Sequence, residues 1–170
     1  MKKGKFLLSV IFALFFGLSS ISSADEAYIA SFNILRLGAV KKDIPQTAKL
    51  LQGFDIVGLV EVINRDGVEE LVDELNKQGN EKWDYHISPF GVGSSKYKEY
   101  FAYVYKKDKV KFIKSEGFYK DGKSSLLREP YGATFKIGNF DFTLVLVHTI
   151  YGNNEAQRKA ENFKMVDVYE

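Results

Sequence analysis

Three polar side chains lie at or near the carboxyl ends of apolar segments that have the composition of strands. Asn33 follows the apolar start of YIASFN, Glu61 interrupts FDIVGLVEV near its end, and His148 closes FTLVLVH. Ligands of open α/β sheets gather outside the carboxyl ends of the strands, so these side chains are expected to meet at one edge. Singly, each has an ordinary structural explanation, as a solvated Glu, a satisfied His or a turn-forming Asn. Together they indicate a candidate site without naming its reaction.

Glu99 lies in a segment whose successive side chains are expected to point alternately to two opposite faces of a strand. One face of residues 97–105 carries Tyr97, Glu99, Phe101, Tyr103 and Tyr105. A buried carboxylate is costly when unpaired, so Glu99 on this aromatic face needs a partner. A histidine is the partner that chemistry favours, because the carboxylate fixes its tautomer and stabilises its charged form. A neighbouring lysine at a strand edge is the simpler expectation from the sequence alone.

Basic residues suited to phosphate occur in two places. Arg128, in Arg128-Glu129-Pro130 before a predicted strand, can form a bidentate phosphate contact or a surface ion pair. Residues 96–114 contain seven lysines against Glu99 and Asp108. Such a run is typical of a solvated strand edge protected by lysines, and a stripe that follows phosphates is the alternative.

Composition limits the chemistry further. The chain has 170 residues, 45% of them hydrophobic and 15% aromatic, which predicts one globular domain or part of one. It has no cysteine, which excludes disulfides, a thiolate nucleophile and a zinc-thiolate site. Any metal must therefore be bound by oxygen atoms or by one of the two histidines.

Residues 1–24 have the layout of a secretory signal peptide. A lysine-rich start precedes an apolar run over residues 6–18, and Ser22 and Ala24 occupy the small-residue positions before a cleavage site after Ala24. The alternative is a membrane anchor, but the run is shorter than the roughly 20 residues of a spanning helix. We expect export to the periplasm or the medium without a stable membrane anchor. Cleavage leaves 21 basic and 22 acidic residues, and this balance argues against a globally basic nucleic-acid binder.

Strands and helices alternate along the rest of the chain. Hydrophobic periodicity predicts helices at 44–51, with Asp43 as N-cap and Pro45 in the first turn, at 68–77 and at 155–170. Strands are predicted at 28–34, 54–62, 83–88, 100–106, 110–119, 131–137 and 140–148, with Gly138-Asn139 as a hairpin turn. This order predicts an α/β fold. The last predicted helix runs to Glu170 with no Gly, Pro or polar cap behind it, which indicates either a fragment or a frayed terminal helix.

The order of these motifs resembles the DNase I-like nucleases of the endonuclease/exonuclease/phosphatase superfamily. The resemblance runs from residue 28 to residue 170 and covers what corresponds to the first half of such a domain. It rests on Phe32-Asn33-Ile34, Asp55-Ile56-Val57, Glu61-Val62, Tyr97-Lys98-Glu99, Arg128-Glu129-Pro130 and Leu146-Val147-His148. It implies a four-layer α/β sandwich, truncated here after the first half.

The resemblance also implies roles for four residues in metal-assisted attack of water on a phosphodiester. Glu61 would be the ligand of Mg²⁺, with Ca²⁺ as a further possible ion, and Asn33 beside it would contact the scissile phosphate. His148 would act as general acid or stabilise the phosphate, and Glu99 would hold its imidazole in the productive tautomer.

DNA is the substrate that the resemblance implies, and two further residues would bind it. Arg128 would neutralise a phosphate oxygen, and Tyr97 would lie along the bound strand. Two departures stand against simple transfer. The family has an Arg soon after the metal-binding Glu, whereas here Ile63-Asn64 come first and Arg65 follows. The family's disulfide-closed loop has no equivalent in a chain without cysteine.

Other family elements are absent from the sequence. There is no Gly-Asp-x-Asn segment and no late Ser-Asp-His, which carries the second catalytic histidine; His86, in a predicted strand, is expected to be structural. We therefore expect a fragment that is inactive, or nearly so, on its own. Two alternatives stay open: a phospholipid phosphodiesterase of the same fold, and a short non-catalytic binding module.

Overall fold

The computed structural model describes residues 26–120, 122 and 126–169. The predicted signal peptide, residues 1–24, lies outside these residues. None of the helices in the described ranges is long and apolar enough to cross a membrane. The strands are β1 (Ile29–Leu37), β2 (Ile56–Val62), β3 (Trp83–Ile87), β4 (Val92–Gly93), β5 (Lys98–Lys106), β6 (Val110–Phe118), β7 (Tyr131–Ile137) and β8 (Phe140–Leu146). The helices are α1 (Ile44–Leu51), α2 (Arg65–Gln78), α3 (Glu155–Phe163) and α4 (Met165–Tyr169).

The first two helices begin at side-chain caps. The Asp43 carboxylate accepts a hydrogen bond from the backbone N–H of Gln46 at 3.0 Å, as the sequence predicts for the start of α1. Asn64 caps α2 by accepting from the N–H of Gly67 at 2.9 Å. The predicted start at residue 68 is therefore three residues late, because the polar first turn of α2 carries no apolar periodicity.

The strands form two sheets that pack face to face. In the first sheet the order is β1-β2-β5-β3; β1 and β2 are parallel, the other neighbours are antiparallel, and β4 pairs with β5. The second sheet is antiparallel, in the order β6-β7-β8. The mixed α/β class is thus as predicted. The unpredicted β4 is only two residues long, too short for a periodic signal.

The central strand β5 divides the core into two layers. Ala102 and Val104 pack with α1 and α2 on one face of the first sheet. The predicted aromatic face lies on the other side, where Phe101, Tyr103 and Tyr105 pack against the second sheet. The described residues therefore build a helix layer, a sheet and a second sheet. The carboxyl ends of β2 and β8 lie close to the beginning of β5, since His148 after β8 contacts Glu99 and lies 3.7 Å from Glu61.

Gly58 permits the close approach of the two sheets at β2 and β8. A Cβ atom at Gly58 would lie 2.3 Å from Cδ2 of Leu146, which is far inside van der Waals contact. Leu146 is itself buried and ends β8 two residues before His148. A side chain at position 58 would therefore force the side chain of Leu146 to shift, on the strand that leads to His148.

We expect Gly58→Ala to lower the free energy of unfolding by about 1–2 kcal/mol. Overpacking costs about 1–3 kcal/mol, and the smaller entropy of the unfolded alanine chain offsets about 0.4–1 kcal/mol of it. Gly53→Ala is the matched control, because an added Cβ there meets no atom within 4 Å. Urea unfolding of both variants is the measurement. Equal midpoints for the two variants would contradict the close approach.

His86 has a structural position between the sheets. Its Nε2 is 2.8 Å from the hydroxyl of Tyr131, and its ring stacks on Phe112 with centroids 4.2 Å apart. Burial, and to a smaller extent the charge of Arg65, lower the pKa of His86 below its ordinary value. The folded protein therefore holds this imidazole neutral, in agreement with the structural role expected from the sequence.

Acidification is expected to destabilise the protein through His86. Below about pH 6.5, the ordinary histidine pKa, the unfolded chain binds a proton at His86. The folded chain binds that proton only at lower pH, because the pKa of His86 is lowered. The free energy of unfolding therefore falls as the pH drops from about 6.5 through the lowered folded pKa. Urea unfolding between pH 7.5 and 5 should show a smaller loss for His86→Gln than for the wild type. An identical pH dependence of the two proteins would contradict this role.

Candidate active site

Asn33 and Glu61 meet because the β1–β2 ladder is irregular at its carboxyl end. Asn33 pairs with Val60 and Leu37 pairs with Val62, so extra residues of β1 stand opposite Glu61. The β2–β5 ladder is also shifted there, between Leu59 and Val62. Glu61 takes a backbone φ of +62°, which is rare for a residue with a side chain and marks a bulge that redirects it. The amide nitrogen of Asn33 then donates to Oε1 of Glu61 at 2.8 Å.

Arg36 also reaches this edge through the bulge in β1. Leu35 and Arg36 have φ values of +48° and +58°, and the side-chain oxygen of Asn33 accepts from the N–H of Leu35 at 2.9 Å. This turn places the guanidinium of Arg36 over the ring of Tyr97, 5.4 Å from its centroid. The sequence alone gives no sign of this position, because it depends on two consecutive left-handed residues just beyond the predicted strand at 28–34.

Glu99 is fully buried, with 0% of its surface exposed, and its partner is a histidine. Its Oε1 is hydrogen-bonded to Nδ1 of His148 and lies 3.3 Å from Nε of Arg128. The expectation of a neighbouring lysine is wrong. Since β5 is a central strand and not an edge, Glu99 at its beginning faces inward, where His148 and Arg128 reach it from the loops around β8 and β7.

His148 connects the two carboxylates. The strand β8 ends at Leu146, two residues earlier than predicted, because its partner β7 begins at Tyr131, which pairs with Leu146. His148 therefore lies in the following loop, with Nδ1 at Glu99 and Nε2 at 3.7 Å from Oε1 of Glu61. This arrangement orients the imidazole so that Nε2 faces the edge where Asn33 and Glu61 meet.

Arg128 points inward and forms its ion pair with the buried Glu99, not with a surface carboxylate. Its side chain is largely buried, and its Nη1 donates to the backbone carbonyl of His148 at 3.5 Å. Nε of Arg128 and Oε2 of Glu99 have no hydrogen-bond partner among the described residues. A buried carboxylate with a guanidinium and an imidazole beside it is a fixed charge arrangement at the base of the site.

Tyr97 lies close enough to the charges of the site for them to shift the pKa of its phenol. Burial raises the pKa of its phenol, and the charges of Glu99 and Glu61 raise it further against the opposing effect of Arg36 and Arg128. The phenol therefore keeps its proton at neutral pH and presents a neutral ring. The six residues singled out in the sequence thus occupy one region, and their roles stay predictions.

A divalent ion fits the donor chemistry of Glu61. The described residues contain no group of three or more His, Asp or Glu side chains that could enclose a metal. Mg²⁺, however, keeps several waters and is often held by one or two carboxylates together with substrate phosphates. Glu61 offers such a carboxylate, and the amide of Asn33 fixes its Oε1. The residues present therefore suit a weakly enclosed ion of this kind.

Comparison with known proteins places the chain in a family, although no family model matches the sequence. A deoxyribonuclease of Thioalkalivibrio sp. (strain K90mix) is 30% identical over 164 residues, which cover 95% of this chain and 44% of that protein. Human deoxyribonuclease-1 is 29% identical over 98% of this chain and 61% of its own length. An endonuclease/exonuclease/phosphatase family protein from Leptotrichia buccalis C-1013-b superposes with a TM-score of 0.58 at 13% identity, over 85% of this chain and 62% of that one. The chain is a DNase I-like member of the endonuclease/exonuclease/phosphatase superfamily.

The DNase I-like chain spans about half the length of the curated relatives it matches. The structure of D. rerio TDP2 complexed with single-strand DNA product is a further match in fold, with a TM-score of 0.57 at 18% identity over 85% of this chain and 55% of that one. The mixed α/β fold of this chain therefore matches roughly 60% of the length of each of these solved structures.

Arg65 does not join the site of this DNase I-like chain. Its Nη1 donates to the hydroxyl of Tyr85 at 3.1 Å, and its guanidinium lies 5.8 Å from the centre of that ring. Because Arg65 opens α2, its side chain is directed to β3 and away from Glu61. The Arg that follows the metal-binding Glu in the family therefore has no counterpart in Arg65, whereas Arg36 supplies a guanidinium beside Tyr97.

Proposed function

We propose that the complete gene product is an exported, Mg²⁺-dependent hydrolase that cleaves phosphodiester bonds of DNA as an endonuclease. One observation carries the proposal. A buried Glu99 holds Nδ1 of His148, whose Nε2 lies 3.7 Å from Oε1 of Glu61. A carboxylate-oriented imidazole beside a second carboxylate is suited to hydrolysis of a phosphodiester. The relatives named deoxyribonuclease support DNA as the substrate class.

His148 is the group that exchanges a proton with the substrate. Hydrogen bonding of Nδ1 to Glu99 fixes the tautomer and leaves Nε2 directed at the edge of the sheet. In this orientation, the imidazolium form of His148, which carries a proton on both ring nitrogens, donates a proton or a hydrogen bond from Nε2 to a phosphate oxygen held there. Arg128 stabilises this position of His148 on the side away from the substrate, through its ion pair with Glu99 and its hydrogen bond to the carbonyl of His148.

Glu61 and Asn33 hold the scissile phosphate and its counter-ion. Glu61 is the carboxylate ligand of Mg²⁺, and the ion supplies positive charge against the phosphoryl oxygens when it is bound. Asn33 orients Oε1 of Glu61 and presents its amide to the phosphate. The neutral ring of Tyr97 and the guanidinium of Arg36 above it give a flat, basic surface for the adjoining nucleotide.

The relation of this chain to the complete enzyme is part of the proposal. The described residues supply one carboxylate for the ion and one histidine for the proton, and the relatives extend over about twice this length. We therefore propose a four-layer sandwich for the full domain, with this chain inactive or nearly so without the rest. Residues 1–24 act as the signal that directs export.

Plasmid nicking by the complete gene product tests the proposed function. Supercoiled plasmid should relax in the presence of Mg²⁺ and stay intact with EDTA, while sphingomyelin should not be hydrolysed under the same conditions. Hydrolysis of sphingomyelin with intact plasmid would replace the nuclease by the phospholipid phosphodiesterase. A folded, monodisperse product that cleaves neither substrate would contradict an enzymatic function.

A further inference from the structure

The helix α3 is held against the site by a carboxylate and not by an apolar face. Within Glu155–Phe163, all of which the structure describes, Glu161 is the only buried residue, with 4% of its surface exposed. The largest apolar side chain of the helix, Phe163, is 76% exposed. A buried carboxylate on an otherwise solvated helix is costly unless it makes strong hydrogen bonds. The hydrogen-bond partners of Glu161 therefore explain why its carboxylate is buried.

Both oxygen atoms of Glu161 accept hydrogen bonds from backbone N–H groups of two different loops. Oε1 accepts from Leu127 at 3.1 Å, and Oε2 accepts from Ile150. Leu127 directly precedes Arg128, and Ile150 follows His148 by two residues. One carboxylate therefore joins the loop before β7 to the loop after β8.

These two loops carry the two side chains that converge on Glu99. Arg128 and His148 both approach Oε1 of Glu99, and Nη1 of Arg128 also donates to the carbonyl of His148. The loops lie outside the ladders of β7 and β8, which end at Tyr131 and Leu146. Their relative position is thus set by hydrogen bonds, of which those of Glu161 are charge-assisted and strong.

We infer that Glu161 is a positioning residue, which fixes the loops of Arg128 and His148 in the geometry that the proposed hydrolysis requires. The inference rests on the proposed function for its effect on rate, but the clamp itself is a property of the fold. Glu161 acts through the two loops and does not touch the phosphate. Loss of the clamp lets Nε2 of His148 move relative to Glu61, and a displacement of about 1 Å at a reacting group can lower the rate about 100-fold.

Two variants and a matched control test the clamp. Glu161→Ala removes both acceptors, whereas Glu161→Gln retains one accepting oxygen and the length of the side chain. Glu155→Gln is the control, because Glu155 is an exposed residue of the same helix that pairs only with Lys159 among the contacts of the described chain. Hydrogen exchange of the backbone amides is measured for all three, together with kcat and KM for plasmid nicking.

We expect faster exchange of the Leu127 and Ile150 amides in Glu161→Ala, an intermediate effect in Glu161→Gln and none in Glu155→Gln, with the amides of β2 and β5 unchanged throughout. In the complete gene product, kcat should fall about 10- to 100-fold in Glu161→Ala while KM changes less than about threefold. In an Arg128→Ala background, Glu161→Ala should lower kcat much less, because both changes act on the same loops.

Each contrary outcome has its own meaning. Wild-type exchange at Leu127 and Ile150 in Glu161→Ala would overturn the clamp. Faster exchange with an unchanged kcat would leave the clamp in place and overturn the positioning role of Glu161. If Glu161→Ala fails to fold, Glu161→Gln decides by the same criteria. If the wild-type protein cleaves no plasmid, the proposed function fails and the amide exchange alone decides whether Glu161 joins the two loops.

Discussion

His148→Ala is expected to lower the rate of plasmid nicking by the complete gene product by about 10²- to 10⁴-fold, the range of a positioned acid–base group. The imidazole is the only group among the described residues that is bonded to the buried Glu99 and also faces Glu61. Its removal leaves the carboxylates without the proton carrier between them. KM for plasmid should change little, because the binding surface that we propose for Tyr97 and Arg36 stays in place.

The second histidine provides a control of the same residue type. His86→Gln removes an imidazole that is stacked between the sheets on Phe112 and bonded to Tyr131, away from the site. This variant should nick plasmid at close to the wild-type rate at neutral pH, where His86 is uncharged. Equal loss in the two variants would indicate a general effect on folding, and wild-type activity of His148→Ala would remove His148 from the reaction.

Glu61→Ala is expected to have an effect at least as large, a loss of about 10³-fold or more. The charge that a metal ion supplies is worth several kcal/mol in phosphoryl transfer, and each 1.36 kcal/mol is tenfold in rate. Glu61 is the carboxylate that the bulge in β2 turns to the edge, where Asn33 bonds it. The variant should also need a much higher Mg²⁺ concentration for any residual nicking.

An exposed carboxylate on α2 serves as the control for Glu61. Glu70→Ala removes the same group from a solvated helix face and should leave both the nicking rate and the Mg²⁺ dependence within about twofold of the wild type. The relevant measurement is the initial nicking rate as a function of Mg²⁺ concentration for the three proteins. A Glu61→Ala enzyme with the wild-type Mg²⁺ dependence would show that this carboxylate does not bind the ion.

Most elements of the fold were accessible from the sequence because they have a local signal, which the two-residue β4 lacks. Asp43 and Pro45 mark the start of α1, and the alternation of residues 97–105 separates the two faces of β5. Strand ends were less accessible, as β8 stops at Leu146 where its ladder with β7 ends. Pairing between strands decides such limits, and a single strand does not contain that information.

The site was accessible in part. Asn33, Glu61 and His148 follow from the rule that ligands collect at strand ends, because polar residues there interrupt apolar runs. The histidine partner of Glu99 followed only from the family resemblance. The residue pattern alone favoured a lysine, since it does not show that β5 is central and that the loops around β7 and β8 converge on it. Arg36 and Glu161 were also missed, because the first depends on two left-handed residues in a bulge and the second on hydrogen bonds between distant loops.

The location of a bound divalent ion is the most direct test of a metal-dependent hydrolytic site at this edge of the sheet. Crystals of the complete gene product grown with Mn²⁺, which replaces Mg²⁺ and scatters anomalously, give its position. We predict an anomalous peak about 2 Å from a carboxylate oxygen of Glu61, on the side that faces Nε2 of His148. A peak on the acidic face of α2 at Glu69, Glu70 and Asp73, with none at Glu61, would contradict the assignment of the site.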